Sequence, residues 1–220
     1  MTHSMPRPLS TLRVSISMVA QTAAGDVNCP YRVWATSRFA DGKLISSFDQ
    51  TTYHADHATL RREHVADLCS KGCTIYEEEQ NRFRIKGKTG AILSGKPDII
   101  AVKGDTALII DCKTGKVRRF HGYQVLLYMY VIRHLHKDHP AHACSKIYGL
   151  VHYQHDTIEI PAPATRLAPG MIRRHMANVL QQTPPTPTPS FNECRFCDLG
   201  PGICSERIGT EAPSILTDLF

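Results

Sequence analysis

SGKPDIIAVKGDTALIIDCKTGKVRRFHGYQVLLYMY, residues 94–130, reads as strand, turn, strand, loop and helix. Lys96 to Val102 is a short apolar run rich in β-branched residues. Gly104-Asp105 is a turn pair, and Thr106 to Lys113 is a second apolar run, so the two form a hairpin. Asp98 follows Pro97 on the first strand. Asp111 and Lys113 stand two apart on the second strand and share a face, while Cys112 points the other way, toward a core. Two carboxylates and an ammonium therefore converge at one end of the hairpin. A charge within a run as apolar as ALIIDCK is costly unless it is paired or bound to a metal.

That arrangement suits a hard cation. Mg²⁺ takes oxygen ligands, keeps several waters and is commonly held by one or two carboxylates plus a substrate phosphate. Asp98 and Asp111 supply the carboxylates, and the backbone carbonyl of Cys112 can add a ligand. Lys113 is placed to hold an attacking water and offset charge that builds on a phosphate. A helix from about His121 to about His136 sets Gln124 and Tyr128 one turn apart on one face.

Working outward, Ser15 or Ser17 can cap a helix running to about Phe39, with a break near Gly25-Asp26. Residues 1–12 read as a loose terminus, and Asp41 to Tyr53 as a loop. His57 to Ser70 reads as a helix, with His57 and His64 seven apart and close in angle around it. Cys69 and Cys73 flank its end at Gly72 and read as core thiols. Thr74 to Glu79 and Asn81 to Lys86 alternate as strands. Glu77 and Glu79 then share a face, either reaching the site or lying on a solvated edge. Lys146 to Tyr153 and Thr157 to Ile160 read as two more strands, and Ala168 to Gln182 as a helix. TPPTPTPS, residues 183–190, is a stiff extended linker, since proline fixes φ and removes donors.

The chain has 220 residues, of which 42% are hydrophobic, which excludes a disordered chain. No apolar run approaches a membrane span, so no membrane partner is expected. The net charge of +6 permits a polyanionic partner. VSISMVAQTAA, residues 14–24, is too short and too broken by serines for a signal peptide. A cytoplasmic location is therefore expected, with the eight cysteines as reduced thiols or metal ligands. The tail holds Cys194, Cys197 and Cys204 at spacing C-x2-C-x6-C, with Leu199 to Gly202 letting the chain return on itself. Three thiolates leave one place open, and Cys29, in Cys-Pro-Tyr-Arg, is the candidate for it. Four thiolates hold either Zn²⁺ or an iron–sulfur cluster, and spacing does not choose between them.

PD at 97–98, DxK at 111–113 and QxxxY at 124–128 resemble the RecB-type nuclease domain of the PD-(D/E)xK superfamily. With the N-terminal Cys-Pro and three C-terminal cysteines, residues 15–207 resemble the CRISPR-associated RecB-like exonucleases. One departure is Asp111, which stands where Glu is commoner. The resemblance implies a single α/β domain over 1–220, with a central mixed sheet flanked by helices. The catalytic core would span about 54–160. The clasp, formed from about 15–40 and 183–207, would hold a [4Fe–4S] cluster on Cys29, Cys194, Cys197 and Cys204. It implies a metal-dependent exonuclease acting on single-stranded DNA ends in CRISPR spacer acquisition, possible partners including the integrase complex. Asp98, Asp111 and a helix histidine, His57 or else His64, would hold Mg²⁺ or Mn²⁺. Lys113 would activate water, and Gln124 and Tyr128 would orient Lys113 or the DNA. Lys116, Arg118 and Arg119 would clamp phosphates, or else form an ordinary solvated basic loop. Two alternatives stay open: a phage or repair nuclease, and a non-catalytic DNA-end adaptor for an integrase.

Overall fold

The computed structural model describes Pro8, residues 11–39, Leu44 and residues 50–209. A short strand β1 (Arg13–Ser15) runs straight into helix α1 (Ile16–Ala24). Ser15 caps α1 by accepting from the Met18 N–H, and Gly25 ends it at a φ of 83°, which a side chain would oppose. Helix α2 (Pro30–Arg38) begins on a proline, whose missing donor no helix start needs. Helix α3 (Gln50–Ser70) leads into strand β2 (Thr74–Glu77). Strands β3 (Phe83–Lys86), β4 (Ile92–Gly95), β5 (Ile99–Lys103) and β6 (Thr106–Lys113) follow. Helix α4 (Arg119–His134) crosses over to strand β7 (Lys146–Tyr153), which returns as strand β8 (Thr157–Ile160). Helices α5 (Ala168–Val179) and α6 (Phe191–Arg195) close the described chain.

The strands form two mixed sheets. The larger has the order β2-β5-β6-β7-β8, with β6 and β7 parallel and the other pairs antiparallel. The smaller has the order β1-β4-β3, with β1 and β4 parallel. Helix α3 covers one face of the larger sheet, where Leu60 and Leu68 meet Ile99, Ala101, Ile110 and Cys112. Helix α4 covers the other face with Val125, Leu127, Met129 and Ile132, all fully buried. Burying each such side chain contributes about 1.5–3 kcal/mol. A strand covered on both faces reads as a continuous apolar run, which is why β6 carries no clean alternation before its last three residues.

Helix α4 presses hard on β7. A Cβ added at Gly149 would lie 2.5 Å from both Met129 Sδ and Val125 Cγ1. Gly149→Ala is therefore expected to cost about 1–3 kcal/mol of overpacking. A urea titration monitored by circular dichroism should show its midpoint lowered with little change in slope.

Several expectations need correction. The sheet is not single: residues 92–103 belong to two sheets, and the strand expected from Lys96 starts at Ile99 instead. Pro97 lacks the donor that a continuing ladder would need. Glu78 to Asn81 form a 3-10 turn, so Glu77 and Glu79 are not strand neighbours on one face. The N-terminal helix is two helices, and α5 stops three residues short of Gln182. Helix α6 was not anticipated. The terminus expected over 1–12 and the loop expected over 41–53 lie mostly outside the described residues, although residues 50–53 belong to α3. Among the described residues, no helix is long and apolar enough to cross a membrane.

Candidate active site

The site lies where the two sheets part. Beyond Ile99 the β5–β6 ladder ends, and β4 turns away into the smaller sheet. Asp98 sits in this fork, just before β5, and it is buried. Its Oδ2 accepts the Cys112 N–H at 2.8 Å, replacing the ladder bond that the diverging strand cannot make. A strand residue presents its N–H and C=O to the same side, so the Cys112 carbonyl is turned toward Asp98 as well.

Asp111 and Lys113 project from one face of β6, as the period-two pattern requires. Lys113 Nζ stands 2.6 Å from Asp111 Oδ2. Gln124 on α4 donates from Nε2 to Asp111 Oδ1 at 3.3 Å and to the Tyr128 hydroxyl at 3.1 Å. The Tyr128 hydroxyl in turn lies 3.5 Å from the Lys96 carbonyl. Asp111, Lys113, Gln124 and Tyr128 are thus joined in one connected group, with Asp98 bonded to the backbone of Cys112 between Asp111 and Lys113.

The two histidine candidates separate. His57, early in α3, lies with Nε2 3.1 Å from Asp98 Oδ2. This hydrogen bond to a carboxylate raises its pKa, against the opposing effect of burial. His64 stacks on His152 at 4.1 Å instead, and burial holds it down at about 4.

Burial pushes Asp111 up to about 6, with Lys113 pulling it back and Asp98 adding to the rise. Its Oδ2 is buried and has the Lys113 ammonium nearby, yet no donor points along a hydrogen bond to it. Among the described residues, no three His, Cys, Asp or Glu side chains are gathered as a ready set for one metal ion. Lys113 pairs with Asp111, and His57 pairs with Asp98. The donor set nevertheless fits a hard cation, with two carboxylates and a carbonyl, one of the carboxylate oxygens, Asp111 Oδ2, lacking an aligned partner. A divalent ion there would keep Asp111 ionised.

Of the remaining candidates, Lys116 and Arg118 lie exposed on the loop after Lys113, and Arg119 lies exposed at the start of α4. Arg119 stacks over Tyr123 at 5.3 Å. Glu77 and Glu79 are each engaged by cations. Glu77 pairs with Arg61, and Glu79 pairs with Arg82 and Lys96. His121, missed in the sequence, is buried, and its Nδ1 lies 2.6 Å from the Tyr153 hydroxyl. Burial, with Lys113 and Arg118 nearby, holds it at about 4. Its signal was its place three residues before Gln124 on the same helix face.

The four candidate cysteines face one region elsewhere, although no three of them form a ready metal set among the described residues. Cys29, Cys194, Cys197 and Cys204 line one small cavity, walled also by Arg32 and Arg207. The N-terminal segment and the tail are tied there directly. Arg32 donates to the Phe196 carbonyl at 2.7 Å, and Trp34 and Ala35 pack on Leu199. Glu193, also missed, accepts the Asn28 and Cys29 N–H groups at 3.0–3.2 Å with both carboxylate oxygens. It stands next to Cys194 and holds the backbone just ahead of α2, a pairing 164 residues apart in sequence that no local signal betrays. Burial raises the Cys197 and Cys204 thiols above the usual range, and the neighbouring cysteines add to the rise at Cys204.

A family model described as the PD-(D/E)XK nuclease superfamily matches residues 27–204. No curated protein matches the chain. A solved structure, "Crystal structure of SSO0001", is similar at a TM-score of 0.42 and 16% identity, over 90% of this chain and 87% of that one.

Proposed function

The chain belongs to the PD-(D/E)XK nuclease superfamily, and we propose that it hydrolyses DNA phosphodiesters, acting as an exonuclease on single-stranded ends. The observation that carries this reading is the buried fork holding Asp98 and Asp111 beside Lys113, with Gln124 bonded to Asp111. Mg²⁺ or Mn²⁺ on Asp98, Asp111 and the Cys112 carbonyl, with His57 rather than His64, would supply Lewis-acid stabilisation of the phosphate charge. Lys113 positions the attacking water and offsets charge on the phosphate as one P–O bond forms and the ester P–O bond breaks. Gln124 fixes the Asp111 carboxylate, and Tyr128 fixes Gln124. His57 holds the Asp98 carboxylate in place. Lys116, Arg118 and Arg119 present charge to the DNA backbone.

The four cysteines are read as ligands of a [4Fe–4S] cluster, with a structural zinc as the alternative. Support comes from four thiols on one cavity wall, with Arg32 and Arg207 beside them to offset the charge of bound thiolates. Hydrolysis transfers no electrons, so the group would be structural. We further propose a role in CRISPR spacer acquisition alongside an integrase, on the resemblance of the motifs and cysteines alone.

The test is direct. Purified protein should shorten a 5′-labelled single-stranded oligonucleotide in Mn²⁺ and not in excess EDTA, with activity restored by added Mn²⁺. Equal cleavage in EDTA would remove the metal from the reading, and a parent protein that cuts no DNA in Mg²⁺ or Mn²⁺ would remove the nuclease.

A further inference from the structure

We propose that the cleft bounded by Arg84, Arg82, Lys96, Ser15 and Ser17 holds backbone phosphates of the DNA strand leaving the catalytic fork; this rests on the nuclease reading above. The cleft measures about 320 Å³, in the range of small-ligand sites. Three of its lining residues are cationic and none is acidic, while three serine hydroxyls add neutral donors. This is the chemistry of phosphate contacts, which come from Arg, Lys and hydroxyl side chains.

The cleft is also joined to the catalytic group. Tyr128 lines it and bonds Gln124, which bonds Asp111. The backbone at Gly95, one residue from Lys96, lies against the Phe83 and Tyr128 rings so closely that a Cβ there would meet them at 2.5 and 2.7 Å. The floor of the cleft is thus the same backbone that enters the fork at Asp98.

The cations differ in availability. Arg82 is held by Glu79 at 2.6 Å, and Lys96 faces Glu78 and Glu79 at 3.6–3.7 Å. Arg84 is exposed on β3, opposite Ser94, and makes no side-chain hydrogen bond or ion pair among the described residues. A phosphate would meet an unpaired guanidinium there at little desolvation cost. The second cleft, also about 320 Å³, shares Ser15 and Ser94 with the first and adds Arg13, so the basic surface extends along β1.

Fluorescence anisotropy of the full chain with a labelled single-stranded oligonucleotide in EDTA tests this across a series of salt concentrations. Arg84→Ala should weaken binding by about threefold to tenfold and reduce the salt slope by about one. Arg84→Glu should weaken it further. Arg166→Ala, an exposed cation away from the cleft, should change neither. Melting temperatures should match the parent, since the Arg84 side chain has no partner among the described residues to lose. An unchanged affinity and slope in Arg84→Ala, with the parent still cutting in Mn²⁺, would overturn the cleft alone. If instead Arg118→Ala/Arg119→Ala alone flattened the slope, the strand would run over that loop. A parent that neither binds nor cuts would overturn the nuclease reading and the cleft with it.

Discussion

Asp111→Asn protein is expected to fold like the parent and to cut DNA roughly 10²–10³-fold more slowly, because a carboxylate that would hold the divalent ion against the phosphate charge is lost. The amide keeps the size of the side chain and removes a charge that burial already opposes, as its raised pKa shows. The metal-free fold should therefore not lose stability. Lys113→Ala should be as inactive for a different reason, and it should also be less stable. Lys113 is the ammonium 2.6 Å from a carboxylate that is 2% exposed. Removing it leaves that charge buried without its cation, at a cost of about 3–5 kcal/mol. Single-turnover cleavage in Mn²⁺ must then be read well below the melting temperature of the variant, with circular dichroism confirming that it is folded. Parental rates from a folded Asp111→Asn protein would show that the chemistry is done elsewhere.

The second large effect is expected at the cysteine clasp. Anaerobically purified protein should be brown, and Cys29→Ser should be colourless with a melting temperature lower by about 10 °C or more. Cys29 and Cys194 stand about 165 residues apart. A link between them restricts the unfolded chain as a cross-link would, worth about 5 kcal/mol in the chain-entropy picture. Ligand binding that requires the folded site adds to this. Glu193→Gln provides a graded control. It keeps an acceptor for the Asn28 and Cys29 N–H groups but weakens the charge-assisted bonds, so iron content should fall without being abolished. Cys144→Ser should keep its colour, since Cys144 lies near Arg133 and away from the clasp, while its burial in the core gives it a modest loss of stability with no loss of iron. Colourless parent protein with one equivalent of zinc would replace the cluster by a zinc site. A fully loaded, brown Cys29→Ser protein would remove Cys29 from the ligand set.

What the sequence by itself determined was local and periodic. Strand alternation put Asp111 and Lys113 on one face and Cys112 on the other, and the structure keeps that division. Helical spacing put Gln124 and Tyr128 together, and they are hydrogen-bonded. The β5–β6 hairpin followed from Gly104, whose φ of 56° suits a residue without a Cβ. Tertiary structure decided the rest, because the contacts involved are long-range and leave no period. The smaller sheet joins β1 to β4 across about 80 residues through strands of only three and four residues, too short to show alternation. The division at Pro97 turned a single expected strand into a fork, and that fork is what buries Asp98 beside the Cys112 N–H. The histidines lie close in angle around α3, so their angular positions could not separate them. The course of α3 across the sheet carries His57 to Asp98 and His64 to His152. Glu193 and the basic cleft were invisible for the same reason: each exists only where segments distant in sequence are packed side by side.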